Sequence, residues 1–166
     1  MPELELTPVK SALRMAMEAR DLPAIVDAFA PDAVFRSPLT SKLKFEGREE
    51  ITAITTVILD VFEGFHYTDE LMGDSTGFLV SRARVDSVDI EMVDHILYNR
   101  AGKIAEFTVF FRPLPAAAVA LRVIGGALGR RKSPTRAALI SNLARPLGFM
   151  TKIGDEIGVR LIRSAA

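Results

Sequence analysis

Asp94, His66 and Glu70 are the side chains through which this chain could move a proton. General acid–base chemistry needs two titratable groups within reach of one substrate, one to take a proton and one to give it. Asp94 stands in Val93-Asp94-His95-Ile96-Leu97, with apolar residues to either side. A carboxylate in a buried strand is costly unless it is paired, protonated or turned toward a cavity. The chain has no cysteine and two histidines, His66 and His95. A cysteine nucleophile, a disulfide and a thiolate metal site are therefore excluded, and two histidines do not make a histidine-rich site. No metal or other cofactor is expected.

The elements that must position these groups change period along the chain. Thr7-Pro8 reads as a helix start, followed by Val9, Leu13, Ala16 and Met17 at helical spacing. Asp21 reads as the cap of a second short helix, and AVFRSPL as a strand ended by Pro38. GREEITAITTVILDVFEG predicts a long helix with Ile51, Ile54, Val57, Ile58, Val61 and Phe62 on one stripe, closed by Gly64. The period then drops to two in FHYTDELM, GFLVSRARV, VDIEMVDHILY and KIAEFTVFF, separated by turn residues. Helices followed by an antiparallel meander predict an α+β domain in which helices pack on a curved sheet.

Charge sets the register of the meander. A turn at Asp86-Ser87 places Arg84 opposite Asp89 and Arg82 opposite Glu91, two attractive cross-strand pairs on one face. The other face then carries Leu79, Ser81, Ala83, Ile90, Met92 and Asp94. A four-residue loop over Asn99–Gly102 puts Asp94 opposite Phe107, Met92 opposite Val109, Ile90 opposite Phe111 and His95 opposite Glu106. Both turns turn Asp94 inward. The hairpin through Asp74-Ser75 turns His66, Thr68 and Glu70 inward too, while a three-residue loop there substitutes Tyr67, Asp69 and Leu71. Glu70 then lies two strands from Asp94, roughly 10 Å away. Asp94 could also be held by a backbone or tyrosine hydrogen bond, or by an arginine of the first helix such as Arg14. His95 reads as an exposed partner of Glu106, and His66 as a half-buried side chain or a base.

EARDLPAIVDAFAPDAVFRSP, the GREEI helix and DHILYNRAGKIAEFTVFFRP together resemble the nuclear transport factor 2-like superfamily, in its polyketide-cyclase (SnoaL-type) and ketosteroid-isomerase branch. The resemblance covers residues 8–113 and implies a cone-shaped curved sheet wrapped around helices, with an apolar pocket inside. In ketosteroid isomerases the base precedes the proline of a strand like AVFRSP; here that residue is Ser37. The tyrosine of the oxyanion hole comes from the first helix, where Leu13 stands. The second oxyanion-hole group is a carboxylic acid kept neutral by an apolar site, and that position matches Asp94. Steroid isomerase activity is therefore not expected.

Two functions follow as expectations. The first is binding of a small lipophilic molecule of steroid, polyketide or fatty-acid type, in a pocket lined by Phe35, Ser37, Phe62, Leu79 and Met92 on one side and Phe107, Val109 and Phe111 on the other, with Asp94 as polar anchor. The alternative is an isomerase, cyclase or dehydratase that uses Asp94 with His66 or Glu70. Members of the superfamily commonly pair through the outer sheet face, so a homodimer is expected.

The 166 residues suit one SnoaL-like α+β cone over 1–113 and a helical extension over 114–166, packing on the domain or on a partner. Residues 1–112 carry 12 Lys/Arg against 19 Asp/Glu, and residues 113–166 carry nine against two. The extension could cap the pocket, pack on a second subunit or lie on an anionic membrane surface; the acidic body favours docking on the body. Nucleic acid is not expected, because the basic residues alternate with alanine and leucine and stacking aromatics are absent. The acidic N-terminus has no apolar signal core and no apolar run is long enough to span a bilayer, so a cytoplasmic location is expected.

Overall fold

A computed structural model describes residues 11–133 and, further on, residues 135, 138, 142, 146, 149–151, 153, 154, 157 and 160. The helix start expected at Thr7-Pro8 lies outside them. As described, α1 (Ala12–Glu18) is capped by Ser11, whose hydroxyl accepts from the Arg14 N–H at 3.2 Å. Asp21 caps α2 (Leu22–Asp27), accepting from the Ala24 N–H at 3.0 Å. The chain continues through β1 (Phe29–Arg36), β2 (Lys44–Glu46) and α3 (Gly47–Val61). Glu49 and Glu50 lie in the first turn of α3, where the helix dipole favours them, and Glu50 accepts from the Glu46 N–H at 2.7 Å. The helix ends at Phe62, not at Gly64 as expected; Gly64, at φ +60°, already belongs to the next strand.

Strands β3 (Glu63–Met72), β4 (Thr76–Val85), β5 (Val88–Tyr98) and β6 (Ile104–Arg112) form the expected meander. The six strands lie in the order β2-β1-β6-β5-β4-β3. Periodicity did not reveal that β1 joins this sheet, pairing parallel to β6 and antiparallel to the three-residue β2. A parallel neighbour distant in sequence leaves no turn signature. The domain is thus α+β, an open curved sheet with helices against its inner face.

Two hairpins carry the register. Asp86 and Ser87 both have positive φ, the type I′ geometry of a two-residue loop. It holds Arg84 opposite Asp89 and Arg82 opposite Glu91, and both ion pairs form, at 3.1 and 2.9 Å. The loop after β5 differs from expectation. Asn99 Oδ1 accepts from the N–H groups of Ala101 and Lys103, so the loop closes one residue later, at Tyr98 opposite Ile104. A bulge between Leu97 and Tyr98 adds a second residue. Asp94 therefore faces Val109 and not Phe107, Met92 faces Phe111, and His95 faces Thr108 and not Glu106. Two residues of slip restore the original face, so Asp94 still points inward.

The inner face and the helices share one core in which Ile25, Ile51, Leu79, Ile90, Ile96 and Ile104 are essentially inaccessible. The outer face carries the ion pairs, and between them Phe78, Val93, Leu97 and Phe110 remain partly exposed. α4 (Leu114–Lys132) crosses back over α3 and strands β4–β6. Its buried residues include Ala116, Ala118 and Ala120, small enough for close approach. Arg122 pairs with Asp86 of the type I′ turn, and Arg131 donates to the Ala53 carbonyl of α3 at 3.2 Å.

Ser87 holds a positive φ of 66° without being glycine. Replacing it by glycine should relieve a left-handed penalty of about 1 kcal/mol without touching the register. Thermal unfolding of Ser87→Gly is expected to show a raised midpoint; an unchanged or lowered one would contradict the turn geometry.

Candidate functional site

A cavity of about 90 Å³ lies between the sheet and the helices. Its walls are apolar, and among the described residues few polar side chains reach it: Ser37, Thr55, Tyr67 and Asp94. Phe35 and Phe107 stack at 5.3 Å between ring centres on one wall, and Phe62 and Phe111 meet at 6.5 Å on another. Met92 and Val109 complete the sheet floor. Leu121, Ile124, Gly125 and Leu128 of α4 also line the space, so the first helix of the extension forms part of its roof.

Leu79 does not line it. It shares Asp94's row and face but is wholly buried in the core on the Glu70 side. Ser37 does line it, although its hydroxyl accepts from the Leu39 N–H at 3.2 Å and closes its own turn.

Asp94 is the group that dominates the electrostatics. It is 5% exposed, and burial alone pushes its carboxyl up to about 8. Among the described residues no hydrogen bond or ion pair reaches that carboxyl. Arg14, a conceivable partner, is turned elsewhere. Its guanidinium bonds Glu18 at 3.0 Å, the Tyr67 carbonyl at 3.2 Å and Glu70 at 3.5 Å, and it lies 5.9 Å from the Tyr67 ring centre. Glu70 is thereby spoken for: it also accepts from the Ser11 N–H at 2.8 Å, and it is not in the cavity wall.

His66 is on the outer face. It sits opposite Arg82, exposed, with Nδ1 2.8 Å from the Gly64 carbonyl. An acid–base pair of Asp94 with His66 or Glu70 is therefore not assembled. His95 also stays outside, stacked on Phe78 at 4.7 Å with Nε2 3.1 Å from the Thr76 hydroxyl; Glu106 bonds Arg36 instead.

Tyr67, turned inward by the sequence only under a three-residue loop and given no site role there, lines the cavity, and a bulge explains why. Next to the turn, β3 pairs Glu70 with Leu79, the register of the two-residue loop. Beyond a shift between Tyr67 and Asp69, it pairs Tyr67 with Ser81, the register of the three-residue loop. Glu70 and Tyr67 thus both face inward, and His66 and Thr68 face out. Tyr67 is 5% exposed, and its hydroxyl stays protonated: burial first, then the nearby Asp94, raises it well above its ordinary value. Between them Ser81 is fully buried, and its hydroxyl has no hydrogen-bond partner among the described residues.

The family model described as a SnoaL-like domain matches residues 9–107, which supply most of the cavity wall; Val109 and Phe111 of β6 and the α4 roof lie beyond the match. The chain belongs to the SnoaL-like domain family. Among solved structures, a steroid delta-isomerase from Pseudomonas aeruginosa is 30% identical, with a TM-score of 0.62 over 74% of this chain and 88% of that one. An uncharacterised protein with a cystatin-like fold from Silicibacter pomeroyi has a TM-score of 0.65 at 23% identity, covering 79% of this chain and 90% of that one. A nuclear transport factor 2-like protein of unknown function from Burkholderia xenovorans has a TM-score of 0.54 at 19% identity, covering 60% and 77%. No curated protein matches the chain. The SnoaL-like domain match and the 30% identical steroid delta-isomerase place this chain in the SnoaL-like and ketosteroid-isomerase-like branch of the nuclear transport factor 2-like superfamily.

Asp94 makes stability depend on pH. Its pKa is near 3.8 unfolded and about 8 folded, so between these values the folded state binds the extra proton. Its contribution is complete below about pH 4 and is lost as pH rises through 8, by up to about 1.4 kcal/mol per pH unit. Asp27 and Glu106, lowered by Lys103 and Arg36, act in the opposite sense at acid pH. Chemical denaturation of Asp94→Asn from pH 5 to 9 is expected to show a flatter profile and greater stability than wild type above pH 7. Parallel profiles would mean that Asp94 is ionised when folded.

Proposed function

We propose that this SnoaL-like protein binds a small lipophilic molecule carrying a carbonyl or hydroxyl oxygen, with Asp94 as the polar anchor. The observation behind this reading is a buried carboxyl in an apolar cavity, with no partner of its own among the described residues. With a pKa of about 8 it is neutral at pH 7 and has one O–H to donate. The Tyr67 phenol, on the same cavity, offers a second donor. Two neutral donors in an apolar space suit an acceptor oxygen and disfavour a cation. At about 90 Å³ the space holds several waters or one small ring. A longer ligand, such as a fatty acid, polyketide or steroid, would place only its oxygen-bearing end there.

Catalysis has less support. The relative named as a steroid delta-isomerase brings that activity to mind, but Ser37 stands at the position where ketosteroid isomerases hold their base, and its oxygen is occupied by Leu39. Among the described residues no second carboxyl or imidazole lines the cavity. Proton transfer through Asp94 alone lacks the partner that general acid–base chemistry requires.

Thermal-shift screening of short cyclic ketones, fatty acids and steroids is expected to give at least one ligand that raises the melting temperature. The shift should fade as pH rises through 8, because an ionised Asp94 accepts but no longer donates. Tyr67→Phe should weaken the same ligand about tenfold, the loss of one hydrogen bond. Absence of any shift across the panel, or a shift indifferent to pH and to both Asp94→Asn and Tyr67→Phe, would sink the proposal.

A further inference from the structure

We infer that the ligand of this cavity is a small ring with oxygens on two opposite edges, one held from the sheet and the other, a hydroxyl, held by Thr55 of α3. The inference deepens the proposed binding of an oxygen-bearing lipophile and rests on it. Among the described polar side chains on the cavity, Ser37 bonds its own turn, and Asp94 and Tyr67 stand on the sheet. Thr55 stands on the helix.

Thr52, Thr55 and Thr56 all belong to α3. The hydroxyls of Thr52 and Thr56 each donate to the carbonyl four residues back, that of Arg48 at 2.6 Å and that of Thr52 at 2.7 Å. This is the usual way for a threonine inside a helix to satisfy its hydroxyl. Thr55 is the most buried of the three, at 5% exposure. Its hydroxyl makes no such bond, to the Ile51 carbonyl or to any other described residue. Buried polar groups are normally satisfied, so an unbonded hydroxyl on a cavity wall calls for a partner that the protein does not supply.

Packing gives no reason for a hydroxyl there. Thr55 follows Ile51 by one turn and lines the cavity together with Ile54 and Ile58. Valine has nearly the same shape and would fill that wall with no polar group to desolvate. The two polar walls also belong to different layers. α3 packs on β1, β2 and α4, while Tyr67 stands on β3 and Asp94 on β5. An oxygen bonded to Asp94 and Tyr67 leaves Thr55 to meet the far edge of the same ligand.

That arrangement selects among lipophiles. A fatty acid carries both oxygens on one carbon and can serve only one wall. A ring with a carbonyl on one carbon and a hydroxyl on the opposite one serves both. The carbonyl accepts from the sheet side. The hydroxyl suits Thr55, because each hydroxyl can both donate and accept. A site built to bond a hydroxyl discriminates against the analogue that lacks it, since its own polar group is then left unpaired.

Titration calorimetry of the full chain at neutral pH tests this with cyclohexanone and with the same ring bearing a hydroxyl opposite the carbonyl. Wild type should bind the hydroxy ketone about tenfold more tightly, the effect of one hydrogen bond. Thr55→Val should abolish that preference and leave cyclohexanone binding as it was, and Thr55→Ser should retain the preference. The melting temperature of unliganded Thr55→Val should not fall; a fall would mean that the hydroxyl is bonded within the protein, against the inference. Equal binding of the two ketones by wild type, a preference that survives in Thr55→Val, or a loss that strikes both ketones alike also overturns it. Tyr67→Phe separates the inference from the reading beneath it, since it should weaken both ketones by the same factor and spare the preference. A Thr55-dependent preference with binding indifferent to Tyr67→Phe and Asp94→Asn discards the sheet-side anchor and keeps the Thr55 contact. Binding of neither ketone to wild type overturns both.

Discussion

Desolvation of one carboxyl shapes the interior of this protein. Asp94 stands on an inward strand face and has nothing among the described residues to bond it, so the folded state keeps it protonated. A neutral acid is tolerable in an apolar cavity where a carboxylate would be very costly. Its consequences reach beyond its own strand. It raises the Tyr67 phenol further, which keeps two O–H donors and no anion on the cavity wall at neutral pH. The cavity is consequently polar at a few points and uncharged throughout.

That state requires that no cation enter. Arg14 is close enough to lie 5.9 Å from the Tyr67 ring, and a free guanidinium there would pull Asp94 toward ionisation. Glu70 and Glu18 prevent this by binding it, and the Tyr67 carbonyl fixes it further. Glu70 in turn holds the Ser11 N–H, tying the start of α1 to β3. Glu70 therefore works as a positioning residue. It keeps the arginine outside the cavity and the first helix against the sheet, which explains why an inward-facing glutamate need not be a second proton-transfer group.

The fold was readable because the strands alternate cleanly and the Asp86-Ser87 turn fixes two charge pairs. The face of Asp94 was readable for the same reason. Its partner was not, because a longer Asn99 loop and a bulge each added one residue, and the two errors cancelled for face but not for register. Tyr67 was hidden by the opposite circumstance. One bulge in β3 makes the two candidate registers true in different halves of the same strand, and no charge pair marks the switch. Leu79 was placed in the pocket because face was legible and depth was not: alternation says which side a residue is on, not whether a helix or a void stands over it. The β1–β6 pairing was invisible for want of a connecting turn.

The segregation of charge along the chain now has two structural meanings. Up to Arg112 some of the acidic groups are held by cations of the body, as ion pairs across β4–β5–β6 and around Asp27, while the acids still outnumber the cations. Past Pro113 the basic surplus starts the same way, with Arg122 on Asp86 and Arg131 on a carbonyl of α3, and these contacts anchor the roof of the cavity. Beyond α4 the described side chains turn outward, and apolar residues replace the small alanines that let α4 pack closely. α4 buries alanines and Ile124 in the core beside α3 and the sheet, whereas Phe149, Met150 and Ile157 stay largely open to solvent.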